Sequence, residues 1–361
     1  MMSSFSPRLD NLRAAMAAFQ TDAVLIPPSS DYRYFTASPK QAAQRPVVLL
    51  LTPHDAFLLM PGFECGNEPE LAERFSLVPY SDSDDPIAVL AAHLPTAGRV
   101  AVCPEMKAGL LLALHQRCPM LTFADAAPIL EPLRRKKDAQ ELEILETAQH
   151  MAERALSRLL SESPIGKTEK QLATRLMQLR LEEGFDAVGS GIVASGPNTA
   201  LAHHVIGDRV VCKGDALMFD IGGTYKGYHA DFTRTFSIGH PSEDFKTVYG
   251  IVLEAHLAGV QAAKPGVRAC DVDRAARAVI EQAGYGPFFT HRLGHGIGLD
   301  VHEPPFISSV STLPLEPGNV FSCEPGIYLP GRFGIRIEDL LAMDEHGVHS
   351  LNTLSKELTV L

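Results

Sequence analysis

An apolar strand ending in an acid occurs twice in this chain, and each time a second acid follows on the next strand. Gly214-Asp-Ala-Leu-Met-Phe-Asp220 places Asp220 six residues after a glycine, and Gly318-Asn-Val-Phe-Ser-Cys-Glu324 does the same with Glu324. A turn containing Gly and Tyr follows in both cases, and the strand after it carries Asp231 or Glu338. Two such strand–turn–strand units can face each other across a pseudo-two-fold axis. Carboxylates at the ends of apolar strands are costly to bury unless paired or bound to metal. Side chains alternate faces along a strand. Asp231, Thr233 and Thr235 therefore share one face, with Phe232, Arg234 and Phe236 on the other. By the same rule Gly-Ile-Arg-Ile-Glu-Asp-Leu, read as one strand, sets Arg336 beside Glu338 and turns Asp339 away. Two divalent cations would neutralise the four converging carboxylates.

A nitrogen ligand is expected in His291-Arg-Leu-Gly-His-Gly-Ile-Gly-Leu-Asp-Val-His302, where three histidines are threaded with three glycines. Glycine lets backbone and substrate approach a metal closely. That singles out His295, between Gly294 and Gly296, and leaves His302 as a second candidate. Four carboxylates and an imidazole favour Mn, Co, Fe(II) or Zn over a thiolate-selected metal. Two metals about 3.5–4 Å apart form a hydrolytic clamp.

The segments FDIGGTYKGYHADFTRTF, HRLGHGIGLDVHEPP, SCEPGIY and GIRIEDL resemble the metallopeptidase family of methionine aminopeptidase, aminopeptidase P and Xaa-Pro dipeptidase (prolidase). GPNTALAHH and the helix entered at KKDAQELE extend the resemblance from Arg134 to the C-terminus. It implies an α/β (α+β) chain: a small creatinase-type N-terminal domain, residues 1–131, and a pita-bread catalytic domain, residues 132–361, with pseudo-two-fold symmetry. It implies Asp220 as a bidentate ligand of one metal and Asp231 as a bridge, His295 and Glu324 on the other metal, and Glu338 bridging. Glu324 would also take the proton of the attacking water. Manganese is favoured, with cobalt or zinc as alternatives. His203 and His302 align with two histidines that contact substrate and carry protons, and Arg336 with a supporting arginine. His204 adjoins His203, but extended neighbours face opposite ways, and Ala202 stands where relatives often have Pro.

The implied reaction is attack of a metal-bridging hydroxide on the carbonyl preceding proline in an Xaa-Pro dipeptide. The alternatives are aminopeptidase P activity on longer Xaa-Pro peptides, another pita-bread amidohydrolase, and a non-catalytic peptide-binding module. An Xaa-Pro imide has no N–H and a fixed ring. It calls for an apolar pocket, with His291, Phe288, Phe289, Tyr228 and Pro304 as candidates. A dipeptidase must also hold the substrate carboxylate, a task suited to arginine. Arg332, Arg45 and Arg33 are candidates, and in this family the loop after a segment like Tyr34-Phe-Thr-Ala can reach a partner subunit's site. That assigns Arg45 to substrate binding in a homodimer.

A length of 361 residues suggests two domains, and 45% hydrophobic with 21% charged residues is a globular balance. A net charge of −11 argues against nucleic acid and anionic lipid as partners. The six cysteines include no CxxC pair and read as buried thiols of a reducing compartment. The N-terminal stretch carries Arg8, Asp10 and Arg13 and does not read as a secretory signal. The aliphatic run Val47–Leu51 is far short of the roughly 20 residues of a membrane span, so a cytoplasmic, membrane-free protein is expected. Strands are expected at 22–26, 46–51, 56–60 and 99–103, with helices at 8–19 and 107–117. Pro128–Lys137 reads as a solvated linker ending in four basic residues. Asp138 and Glu141 then form a capping box for a helix with Leu142, Leu145, Ala148, Ala152 and Leu159 on one stripe, followed by a helix at 168–183.

Overall fold

The computed structural model describes residues 5–361; the first four residues of the N-terminal stretch lie outside it. The chain divides into two compact units, Met1–Arg134 and Arg135–Leu361.

The first unit is built on a mixed six-stranded sheet. Its strands are β1 (Ala23–Ile26), β2 (Val48–Leu51), β3 (Ala56–Pro61), β4 (Ser76–Tyr80), β5 (Gly98–Val102) and β6 (Leu121–Asp125), in the order β4-β3-β2-β1-β5-β6. Central β1 pairs antiparallel with β2 and parallel with β5. It is buried along its whole length, as its unbroken aliphatic sequence requires. β4 and β6 escape the sequence reading because they are only half buried and carry no aliphatic run. Pro128–Lys137 is not the expected linker. Ala127–Arg135 is a helix containing Pro132, held by the burial of Ile129 and Leu130. The basic run is partly withdrawn from solvent: Lys137 is buried and only Lys136 is exposed. Arg134 pairs with Asp31 in this unit, while Arg135 and Lys136 pair with Glu316 and Lys137 pairs with Glu303 in the second.

The second unit has two halves of like construction. In the first half, helices Ala139–Leu160 and Glu169–Glu183 cover β7 (Ile192–Ser195), β8 (Ala216–Tyr225) and β9 (Tyr228–Ser237), with Leu156, Leu176, Phe219 and Phe232 in their core. The second half contains β10 (Gly294–Gly296), β11 (Glu303–Ile307), β12 (Val320–Cys323), β13 (Gly326–Leu329), β14 (Phe333–Arg336), β15 (Asp339–Met343) and β16 (Val348–Ser350). Helices Glu243–Ala262 and Ala269–Gln282 cover a sheet of order β11-β10-β12-β15-β16, around Val252, Ile280, Phe321 and Leu341. The repeat read from the two acid-ended strands is thus a repeat of helix pair on antiparallel strands.

The two hairpins are not identical. β8 and β9 pair continuously, with Asp220 opposite Thr233 and Gly222 opposite Asp231. GIRIEDL is not one strand: β14 ends at Arg336 and β15 begins at Asp339. The break lets β14 pair with β13 while β15 pairs with β12, Cys323 opposite Asp339. The predicted capping box is present, the Asp138 carboxylate accepting from the Glu141 amide at 2.9 Å and Glu141 accepting from the Asp138 amide at 2.9 Å. All six cysteines are free; Cys212 is exposed, whereas Cys103, Cys270 and Cys323 are buried. No helix among the described residues is long and apolar enough to cross a membrane.

Candidate metal centre

Both halves of the second unit contribute to one cavity of about 830 Å³. Asp220, Asp231, His295, Glu324 and Glu338 all line it, as do His203, His302, His291 and Arg336. The face read from alternation is realised. Thr233 Oγ1 donates to Glu338 Oε2 at 2.7 Å and accepts from Arg336 Nε at 3.0 Å. Arg336 Nη2 donates to Asp220 Oδ2 at 2.5 Å. Despite the break in its strand, Glu338 still faces the cavity because its own amide donates to Thr233 O at 3.2 Å. Asp339 turns away into a buried pair with Arg234 at 2.7 Å. Behind β9, Gln149 grips the Asp231 backbone, donating to its carbonyl at 2.8 Å and accepting from its amide at 3.1 Å.

The glycines also serve strand packing. A Cβ at Gly294 would lie 1.9 Å from Ser322 O, and one at Gly222 would lie 1.8 Å from Ala230 O. They let neighbouring strands close on one another. At this distance the Ser322 hydroxyl accepts from the His295 amide and donates to Glu324 Oε1, both at 3.0 Å.

Charge and tautomer test whether cations fit. His295 Nδ1 lies 3.0 Å from Gly296 O, so Nδ1 carries the proton and Nε2 presents its lone pair. That lone pair faces Glu324 Oε1 at 3.3 Å and Asp231 Oδ2 at 3.8 Å. Burial pushes His295 down to about 3, so the ring does not become cationic near neutral pH. Burial, with the neighbouring carboxylates, drives Asp231 and Glu338 well above the usual carboxylate range and Glu324 up to about 7. Oxygens and a nitrogen that offer one another only lone pairs, with donor atoms of Asp231, His295 and Glu338 within 4.8 Å of each other, are suited to hold a cation.

Residues 143–345 match Metallopeptidase family M24, and residues 8–136 match the Creatinase/Prolidase N-terminal domain. The chain belongs to metallopeptidase family M24. It is similar to the crystal structure of dipeptidase PepE from Mycobacterium ulcerans, with 38% identity and a TM-score of 0.94 over 99% of this chain and 97% of that one. A prolidase structure from Thermococcus sibiricus gives 34% identity and a TM-score of 0.93 over 99% of each chain. The Xaa-Pro dipeptidase of Pyrococcus horikoshii is 33% identical over 342 residues, 93% of this chain and 94% of that protein.

Around this M24 site the remaining candidates divide clearly. His203 lines the cavity, whereas the His204 ring is turned onto Glu169 at 2.7 Å. His302 packs edge-on to His295, ring centroids 4.2 Å apart, and burial lowers its pKa. Both nitrogens of His291 are engaged, Nδ1 donating to Arg292 O at 2.7 Å and Nε2 accepting from the Tyr328 hydroxyl at 2.8 Å. Tyr328 accepts in turn from Arg336 at 2.8 Å. Arg336 and His291 therefore support the site through one relay. Of the expected proline-pocket residues only His291 lines the cavity; Phe289 is in the core under Arg277, and the Tyr228 hydroxyl is spent on Glu141. Arg332 pairs with Asp244, and Arg45 makes a two-pronged pair with Asp82 at 2.7 and 2.8 Å. Arg292, which the sequence reading passed over, lines the cavity with its guanidinium 4.5 Å from the Phe306 ring centre and in no salt bridge among the described residues.

Proposed function

We propose that this M24 peptidase is an Xaa-Pro dipeptidase whose two divalent cations are held by Asp220, Asp231, His295, Glu324 and Glu338. The observation that carries the reading is the His295 lone pair facing the carboxylates in a cavity that also presents a free guanidinium, Arg292. When bound, the cations, manganese by preference, supply Lewis acidity toward the scissile carbonyl and lower the pKa of a water. Glu324 is the base that takes the water's proton. Arg292 receives the substrate carboxylate in a charge-assisted pair. His203 and His302 offer N–H groups to the carbonyl oxygen and to the leaving nitrogen, which arrives without a proton of its own because it belongs to an imide. The Arg336–Tyr328–His291 relay holds Asp220 at one end and the backbone of Arg292 at the other.

The test compares Ala-Pro, Ala-Pro-Ala and a Met-initiated peptide, each with Mn, Co and Zn. Preference for Ala-Pro supports the proposal; preference for Ala-Pro-Ala makes the enzyme an aminopeptidase P. The six free cysteines support a cytoplasmic setting. A homodimer in which Arg45 reaches the neighbouring site rests on family resemblance. It is checked by light scattering and by the KM of Arg45→Ala.

A further inference from the structure

His203 sits where little regular structure can hold it. It is exposed on a turn in which the His204 amide donates to Leu201 O at 3.1 Å, beyond the short 3-10 helix Gly196–Ala200. Two contacts bracket it. Before His203, Ala202 O accepts from Arg336 Nη1 at 3.4 Å. After it, His204 Nε2 lies on Glu169 Oε2 at 2.7 Å.

Glu169 is wholly buried at the start of the helix Glu169–Glu183 and pairs with no Lys or Arg among the described residues. Its Oε1 accepts from the Ser195 amide at 2.8 Å, the Ser195 hydroxyl at 2.8 Å and Asn198 Nδ2 at 3.0 Å. Its Oε2 accepts from His204 and from the Gly207 amide at 3.3 Å. All five donors belong to the segment 195–207, the stretch that carries Ala202 and His203 into the cavity wall. The Glu169 side chain does not line the cavity itself. A desolvated carboxylate is tolerated only when its lone pairs are filled, so this anion imposes one conformation on the segment that fills them.

We propose that Glu169 is a positioning residue for His203, acting through His204 and the 195–207 segment. The proposal rests on reading His203 as a proton-carrying group at the substrate. Fixing the turn from both flanks places the imidazole, and a misplacement of about 1 Å costs on the order of 10²-fold in rate.

Glu169→Gln and His204→Ala are made in the wild-type and His203→Ala backgrounds, with kcat, KM, bound metal and Tm measured for each. Glu169→Gln is expected to lower kcat on the order of 10²-fold at unchanged bound metal. In the His203→Ala background it is expected to cost less than about twofold, because coupled residues are non-additive. Losses that multiply in the double variant would overturn the proposal. A His203→Ala enzyme with undiminished kcat would instead remove the reading of His203 on which it rests. If Glu169→Gln does not fold, His204→Ala leaves the other four donors in place. It is expected to lower kcat roughly tenfold, the low end for a displaced group, and His204→Gln, whose amide can donate to Glu169, to restore it. Equal activity in His204→Ala and wild type also overturns the proposal.

Discussion

Replacing the proposed metal ligand Glu324 by glutamine should stabilise the protein once metal is removed. In the metal-free chain, burial and the charge of Asp220 raise Glu324 from 4.5 to about 7. Keeping it ionised in the fold therefore costs about 3 kcal/mol, at 1.36 kcal/mol per pKa unit. Glutamine has the same shape, still accepts from Ser322 through its carbonyl oxygen and carries no charge. The sign follows from linkage. Below pH 4.5 the carboxyl is protonated both folded and unfolded, and the substitution gains nothing by this route. Between 4.5 and about 7 the unfolded chain gives up its proton first, so wild type loses stability as pH rises. Above about 7 the whole penalty is present. The assay is thermal and urea unfolding in EDTA at pH 5 and pH 8. Glu324→Gln should exceed wild type by about 3 kcal/mol at pH 8, or about 6–12 °C in the transition of the catalytic unit, and by under about 1 kcal/mol at pH 5. With saturating metal the order reverses, because wild type gains binding energy that the variant cannot. A metal-free wild type as stable as the variant at pH 8 would refute the reasoning: the carboxylate would then carry no electrostatic penalty for a cation to relieve.

Arg292→Ala should raise KM for Ala-Pro by about 10- to 100-fold, the worth of a charged hydrogen bond, and leave KM for Ala-Pro-amide unchanged; an equal rise for both would remove the carboxylate role. Asp231→Ala should abolish metal-dependent hydrolysis while circular dichroism stays native, and wild-type turnover in that variant would end the two-metal reading. Tyr328→Phe strands His291 Nε2 and one Arg336 N–H in a buried relay. It should lower stability by about 1–3 kcal/mol, read as a urea midpoint shift at constant slope.

Part of the cavity wall is legible because strand alternation is local: Asp231 shares a face with Thr233 and Thr235, while Asp220 and Glu324 stand out as acids ending apolar strands and His295 as a histidine between glycines. Glu338 was placed on the right side through the wrong structure, since a break two residues long changes neither composition nor period. What holds the donors was not legible. Gln149 and the Asp231 backbone it grips are 82 positions apart, and nothing near either one announces the other. Glu169 is a first-turn acid whose partners at 195, 198, 204 and 207 lie 26 to 38 positions further along, so the sequence around it carries no sign of them. The basic run misled for the same reason, its partners Glu303 and Glu316 lying far along the chain. The aromatic residues offered for the proline pocket failed because Phe289 and Tyr228 are already satisfied by packing and by Glu141.

The proposed metal donors are split between the halves of the catalytic unit. Asp220 and Asp231 stand on the β8–β9 hairpin of one, and His295, Glu324 and Glu338 belong to the other. A cation shared among them is therefore a cross-link between two separately cored bodies, in the manner of a staple that pH or a chelator can open. Loaded, the halves cannot part without breaking coordination; stripped, the repulsion of the facing carboxylates is opposed only by the polar contacts that cross the cleft, such as Arg336 to Asp220 and Arg234 to Asp339. The spread of the two halves thus becomes a quantity set by metal supply, and the first motion on chelation should be a widening of the cleft rather than the melting of either core.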